Sequence, residues 1–296
     1  MNGHRALLGR LALLGAALIW GSSFFVMKNA VAGVPVLMLL GIRFTVGCAL
    51  LCALFPRRLK KLNKKHLSHG ALVGALLLAA YIAQTFGLKG TTPGKNAFLT
   101  AVYCVLVPFM NWAVVRREPT VWNWLAAVMC LGGIGLVSLN EALTVNMGDA
   151  LTLLGGVFFA AHMVAVSRFG EQEDPVLLTA VQFGMAALCS WALSLATEMP
   201  PSSFPENAWV ELIYLSVFAT TIALLLQNVG QSVTPAAPAS ILLSLESVFG
   251  VLFSMIFYHE QVTMRLWAGF GLIFAAVLVS ETLGGRQEKR AAPSNA

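Results

Sequence analysis

Charged residues are what this chain has least of: they make up 11% of its 296 residues, while 58% fall in the hydrophobic set. Soluble domains carry roughly 25% charged residues, and a water-facing surface cannot be built from so few. A bilayer is the solvent that such a composition tolerates. Cysteine is also sparse. Cys48, Cys52, Cys104, Cys130 and Cys189 all lie within apolar segments and show no C-x-x-C spacing, which argues against a disulfide framework or a zinc site. No cofactor or metal ligand set is indicated. The net charge of +6 does not mark a nucleic-acid binder, because most basic residues flank apolar runs instead of forming a basic domain.

Enzyme signatures fail in the same way. His259 and Glu260 begin an H-E-x-x-H zinc motif, but Thr263 stands where the second histidine belongs. Gly90 to Asn96 is too short for a phosphate-binding loop and places Asn96 at its hydroxyl position; it reads as a short outside loop. Active transport would therefore rely on an ion gradient or exchange.

What is present is length. A crossing needs about 20 apolar residues, and the chain offers ten such runs: Leu7 to Met27, Val36 to Phe55, Gly70 to Leu88, Ala97 to Val115, Val121 to Leu139, Asp149 to Ser167, Pro175 to Ala196, Trp209 to Val229, Pro238 to Tyr258 and Met264 to Ser280. Arg5 and Arg10 resemble the basic region of a signal peptide, but the run behind them is too long and reads as the first span. With a cytoplasmic amino terminus, fourteen Lys and Arg residues fall inside, the loop from Arg57 to Lys65 foremost. Only Lys28, Lys89, Lys95 and Arg265 fall outside. The positive-inside rule then places both termini in the cytoplasm of a multi-pass cell-membrane protein.

The chain also repeats itself. Leu11, Leu13, Leu14 and Gly15 recur as Leu151, Leu153, Leu154 and Gly155, and Pro35, Val36 and Leu37 recur as Pro175, Val176 and Leu177. Gln84, Gly87, Thr92 and Pro93 parallel Gln227, Gly230, Thr234 and Pro235, and Glu118 matches Glu260. The expected fold is an all-α integral membrane protein of ten transmembrane helices. These form two five-helix repeats, residues 1–145 and 146–285, with a cytoplasmic tail at 286–296. Five spans per repeat force the second copy into the membrane inverted, which supplies the two interchangeable packings of alternating access.

Trp20 to Phe24, Arg43 with Phe44, Gly87 to Leu99, and L-S-L-E-S-V-F at 243–249 followed by Glu260 and Thr263 occur here in one order. In that order the chain resembles the EamA family of the drug/metabolite transporter superfamily over nearly its whole length. The resemblance implies a ten-helix bundle with a central cavity from the first four spans of each half. It also implies a secondary carrier, often an exporter of amino acids or related metabolites. Ser247 departs from the family pattern, which often has proline after the glutamate.

Polar residues inside spans are the candidate site, because each costs free energy in lipid and must face protein or a water-filled path. Glu246, eight residues into the ninth span, reads as a proton acceptor or counter-charge for a substrate amine, or as a buried structural acid. Arg43 reads as a carboxylate ligand, a partner of Glu246, or a side chain snorkelling outward; Gln182 takes its place in the second half. Tyr81, Gln84, Thr85 and Leu88 form one helical stripe, echoed by Thr220 with Gln227 and Thr221 with Asn228. His162, where the repeat places Ser22, suits proton coupling or packing. Trp20, Tyr103 and Phe158 are aromatic candidates. Ser240, Ser244, Ser247 and Ser254, like Gly70 with Gly74, read as close-packing faces, and Glu118 and Glu260 as solvated gating or helix-terminal groups.

The leading expectation is an exporter of a small metabolite such as an amino acid, with the lipid bilayer as its other partner and protons as candidate coupling ion. Cationic drugs or polyamines are the alternative cargo, and a channel the alternative class.

Overall fold

The computed structural model describes residues 3–116, 118–139, 145–170, 173–201, 203–234 and 236–284. The tail at 286–296, Arg117, and the side chains of Arg5 and Ser240 lie outside them. Among the described residues there is no strand, only one isolated bridge between Leu139 and Val145. Everything else that is regular is helix.

The first half contains α1 (Gly3–Gly33), α2 (Val36–Leu54), the single turn α3 (Pro56–Leu59), α4 (Lys64–Lys89), α5 (Pro93–Thr100), α6 (Tyr103–Val115) and α7 (Val121–Ser138). The second half contains α8 (Met147–Gly170), α9 (Pro175–Thr197), α10 (Ala208–Tyr214), α11 (Ala223–Val233), α12 (Ala236–Phe257) and α13 (Met264–Leu278). A π-helical stretch, Leu215–Ile222, joins α10 to α11, and another, Val279–Gly284, follows α13. Among the described residues, nine helical segments are long and apolar enough to cross a membrane, with α5 and α6 together making one; Leu242–Phe257 of α12 adds a shorter apolar stretch. Large side chains exposed along these helices, such as Val128, Leu131, Leu188 and Ile213, would be untenable in water and suit lipid.

Local chemistry sets the helix ends. Asn63, Thr92, Thr120, Asp174 and Thr263 each precede a helix and accept a backbone N–H of its first turn through the side chain, which satisfies donors that lipid cannot. Thr92 with Pro93 at the first helical position starts α5 four residues before the expected span. Of the stretch read as a loop from Gly90 to Asn96, Pro93 to Asn96 is therefore helix while Gly90 to Thr92 forms the turn before it, and Asn96 is buried. In the π-helical stretch, the hydroxyls of Thr220 and Thr221 each donate to the carbonyl five residues back, at 2.8 Å.

Packing runs mainly between the halves. The helix pairs with the most extensive contact are α4 with α8, α1 with α12, α2 with α9, α7 with α13, α4 with α9, and α1 with α11. Small residues permit the closest crossings. A Cβ on Gly74 would stand 2.6 Å from the Gln182 carbonyl oxygen and one on Gly70 2.5 Å from Val181 Cβ, so α4 and α9 meet along the glycine face expected from sequence. A Cβ on Gly21 would meet the side chain of Phe249 and the backbone of Glu246; that glycine brings α1 directly onto the segment of α12 that bears the glutamate. Ser247 does not break α12, and its hydroxyl donates to the Ser244 carbonyl at 2.8 Å.

The two ends of the bundle are closed differently. Where α1 finishes, the Gly33 end, Lys28 donates to the carbonyls of Leu88, Lys89 and Thr91. Lys95 and Thr91 both reach Asp149, and Glu198 accepts the N–H groups of Leu37 and Met38. At the amino-terminal end, Arg58 pairs with Asp174, and His66 and His69 flank Glu173.

Candidate functional site

A cavity of about 650 Å³, counting the space at its mouth, lies inside the bundle. Its walls come from α1, α2, α4, α5, α6, α8, α11 and α12, and not from α7 or α13. Of the residues singled out from sequence, Trp20, Arg43, Tyr81, Gln84, Tyr103, His162, Gln227 and Glu246 line it together. Gln182 does not. It is buried behind the wall, where its amide oxygen pairs with His162 Nε2 at 3.3 Å.

Arg43 is fully enclosed, with 1% of its surface exposed, so it does not snorkel. Its Nε donates to Thr220 Oγ1 at 2.9 Å, and the guanidinium carbon sits 4.9 Å from the Tyr81 ring centre, within cation–π range. The π-helical stretch explains the first contact, because it carries the hydroxyl that meets the guanidinium. π-helical turns of this kind frequently mark functional sites.

Glu246 is likewise buried, with the Tyr103 side chain beside it. Among the described residues it makes no ion pair with Arg43, so the reading in which the arginine holds the glutamate fails. Their neighbouring tyrosines belong to one aromatic row. Tyr81 packs edge-on to Phe159 at 5.4 Å, and Phe159 lies 6.3 Å from Tyr103. The aromatic wall therefore contains Phe159 where Phe158 was expected; one residue along a helix turns the side chain by about 100°.

Several of the remaining polar groups are tied to the frame, whereas the buried Thr85 hydroxyl on the cavity wall has no hydrogen-bond partner among the described residues. Gln84 donates to Thr100 Oγ1 at 3.0 Å, and Asn96 to Thr152 Oγ1 at 2.7 Å. Trp20 donates to the Ala219 carbonyl at 2.9 Å. Asn228 turns away from Gln227 and donates to Thr179 at 2.6 Å. Asn96, Thr100, Met27 and Ser23 line the cavity but were not singled out. Asn96, Thr100 and Tyr103 recur at i, i+4 and i+7, the stripe pattern that exposed Gln84, and that spacing was the available signal. Of the two readings of Glu260, a solvated gating group or a helix-terminal group, the contacts match the second. It is 9% exposed and bound by Thr92, the Gly94 N–H and Ser254.

The EamA-like transporter family model matches the chain twice, over residues 7–139 and 146–282. An uncharacterized transporter of Archaeoglobus fulgidus is 31% identical over 94% of this chain and 87% of its own length. The uncharacterized inner membrane transporter YedA of Escherichia coli K12 is 28% identical over 92% and 90%. A solved crystal structure superimposes with a TM-score of 0.71 at 18% identity, covering 95% of this chain and 98% of that one, and so shares the fold. With two family matches spanning nearly the whole chain and polar residues gathered on a cavity inside apolar helices, this multi-pass membrane protein belongs to the EamA-like transporter family and is a transporter, not an enzyme.

Proposed function

We propose that the chain is a secondary carrier that exports a small zwitterionic metabolite of the amino-acid kind by alternating access. The observation that carries this reading is that Arg43 and Glu246 line one cavity, each beside its own tyrosine, without an ion pair between them among the described residues. A cation and a carboxyl that leave each other free are arranged to receive a carboxylate and an ammonium on the same molecule.

Alternating access rests on the two repeats, 1–145 and 146–285, in opposite orientation. Two facts support it: each half matches the family model by itself, and the interhelical pairs exchange consistently. Moving each element to its counterpart five spans on turns the contact of α4 with α8 into that of α11 with α1, and the contact of α1 with α12 into that of α8 with α5 and α6; all four occur. A two-fold relation combined with an odd number of spans gives inversion. The charge distribution orients the molecule with both termini in the cytoplasm and the Gly33 end outside. Protons are the proposed coupling ion, taken up at Glu246 when the substrate leaves.

The test is counterflow in proteoliposomes loaded in turn with amino acids, polyamines, nucleosides and cationic drugs. Saturable exchange of an amino acid that needs both its amine and its carboxylate supports the reading. Exchange of polyamines alone would transfer it to cations, and unsaturable currents without counterflow would make it a channel.

A further inference from the structure

Glu260 closes the Gly33 end by bridging elements far apart in sequence. Its carboxylate accepts from the Thr92 hydroxyl, from the Gly94 N–H at 2.8 Å in the first turn of α5, and from Ser254 on α12. Thr92 belongs to the first half and Glu260 to the second. The contact therefore holds the halves together, and a Cβ on Gly94 would strike the carboxylate at 2.7 Å.

The same residues recur in reversed roles. Thr234 precedes α12 as Thr92 precedes α5, and Glu118 follows α6 as Glu260 follows α12; the sequence offset is 142 for both pairs. Yet the second pair is unmade. Glu118 is exposed, while Thr234, 6% exposed, has a hydroxyl oxygen with no hydrogen-bond partner among the described residues. A buried hydroxyl without a partner is costly, and here its counterpart in the other half is bonded to a glutamate.

We infer that Glu118 and Thr234 form a second latch, made only in the opposite state of the carrier, when the Glu260–Thr92 latch is broken. The inference rests on the inverted-repeat carrier reading. In the structure as it stands, the Glu260–Thr92 contact at the Gly33 end is made and the Glu118–Thr234 contact at the amino-terminal end is not, that end being tied at its rim by Arg58 with Asp174 and by the histidines around Glu173. During transport, the half-rotation that releases Glu260 brings the Glu118 carboxylate onto the Thr234 hydroxyl and seals the amino-terminal end. Both glutamates act as positioning residues. Neither lines the cavity, and each biases which side the cavity faces.

The test uses the full-length chain with its five cysteines replaced by alanine and one reporter, Ser23→Cys, on the cavity wall. A membrane-impermeant maleimide is applied from the outer face of oriented vesicles. Glu260→Gln is expected to raise labelling by roughly tenfold, and Glu118→Gln to lower it by roughly tenfold, as loss of one charge-assisted hydrogen bond shifts a two-state equilibrium. A general loss of stability would not give opposite signs. As a second measurement, the pair Glu118→Cys with Thr234→Cys should cross-link during turnover and arrest transport until reduced, as Thr92→Cys with Glu260→Cys should. A labelling rate that responds to Glu260→Gln but not to Glu118→Gln, with no 118–234 cross-link, would overturn the second latch alone. Equal labelling from both faces, unchanged by either variant, would overturn the carrier reading and the latch with it.

Discussion

Two walls of one cavity hold charge in contrasting ways. On the first, Arg43 is fixed from two sides, by the Thr220 hydroxyl on the π-helical stretch and by the face of Tyr81. On the second, Glu246 lies beside the Tyr103 side chain, while α1 presses on its backbone through Gly21. The arginine wall gives a permanently charged, oriented fork, since a guanidinium does not deprotonate in proteins. The glutamate wall gives a group that can gain or lose a proton. Under the proposed function, the first wall binds a carboxylate and the second exchanges amine and proton. Phe159 packs against both Tyr81 and Tyr103.

The comparison breaks most directly at the charges. Arg43→Gln should lower uptake in counterflow by at least about tenfold through an increased KM, because a charge-assisted hydrogen bond is worth about 1.5–3 kcal/mol. Arg43→Lys should rescue little, since a point charge cannot reproduce the planar contact with both Thr220 and Tyr81. Glu246→Gln should be as severe for proton-driven export and should flatten its pH profile, while tracer exchange at equal pH on both sides is retained in part. Wild-type export across pH in Glu246→Gln would remove the proton role from the second wall. Wild-type affinity in Arg43→Gln would remove the ligand role from the first.

Both walls were visible in sequence because polar groups in apolar spans stand out: Glu246, Arg43, Gln84 and Gln227 each interrupt an apolar run. Their neighbours were not. Phe159 and Phe158 are indistinguishable by composition, and only helix rotation decides between them. Thr220 supports Arg43 from a π-helical turn that periodicity at 3.6 residues does not reveal. The burial of Glu260 depends on Thr92, 168 residues away in the chain, and no local pattern encodes that pairing. The early start of α5 was written in the pair Thr92–Pro93 but hidden by the two glycines, Gly90 and Gly94, that frame it. Length and apolarity thus identify the spans, whereas loop-to-helix pairings arise only once the halves are packed.

A smaller effect sharpens the contrast at its hydroxyls. Tyr103→Phe removes the hydroxyl beside Glu246 but keeps the ring beside Phe159, so it should cost up to about 1 kcal/mol, roughly fivefold in transport, and displace the midpoint of the pH profile. The corresponding change on the other wall, Tyr81→Phe, retains the ring face under Arg43 and should leave that midpoint where it was. Equal displacement by the two variants would show that the walls are coupled, and the division of labour between them would fail.

The smallest effect is expected at His162, which lines the cavity but is already engaged by Gln182. A histidine whose ring nitrogen serves a structural amide is a poor shuttle, because each proton transfer would have to disrupt that contact. His162→Asn should therefore change the export rate less than about threefold, at the lower end of the range for one neutral hydrogen bond, and should preserve the pH profile. If the profile instead flattens as it does in Glu246→Gln, the titrating group belongs to the second half as a whole. The proton path then runs from α12 across to α8, and the glutamate wall ceases to be the single coupling element.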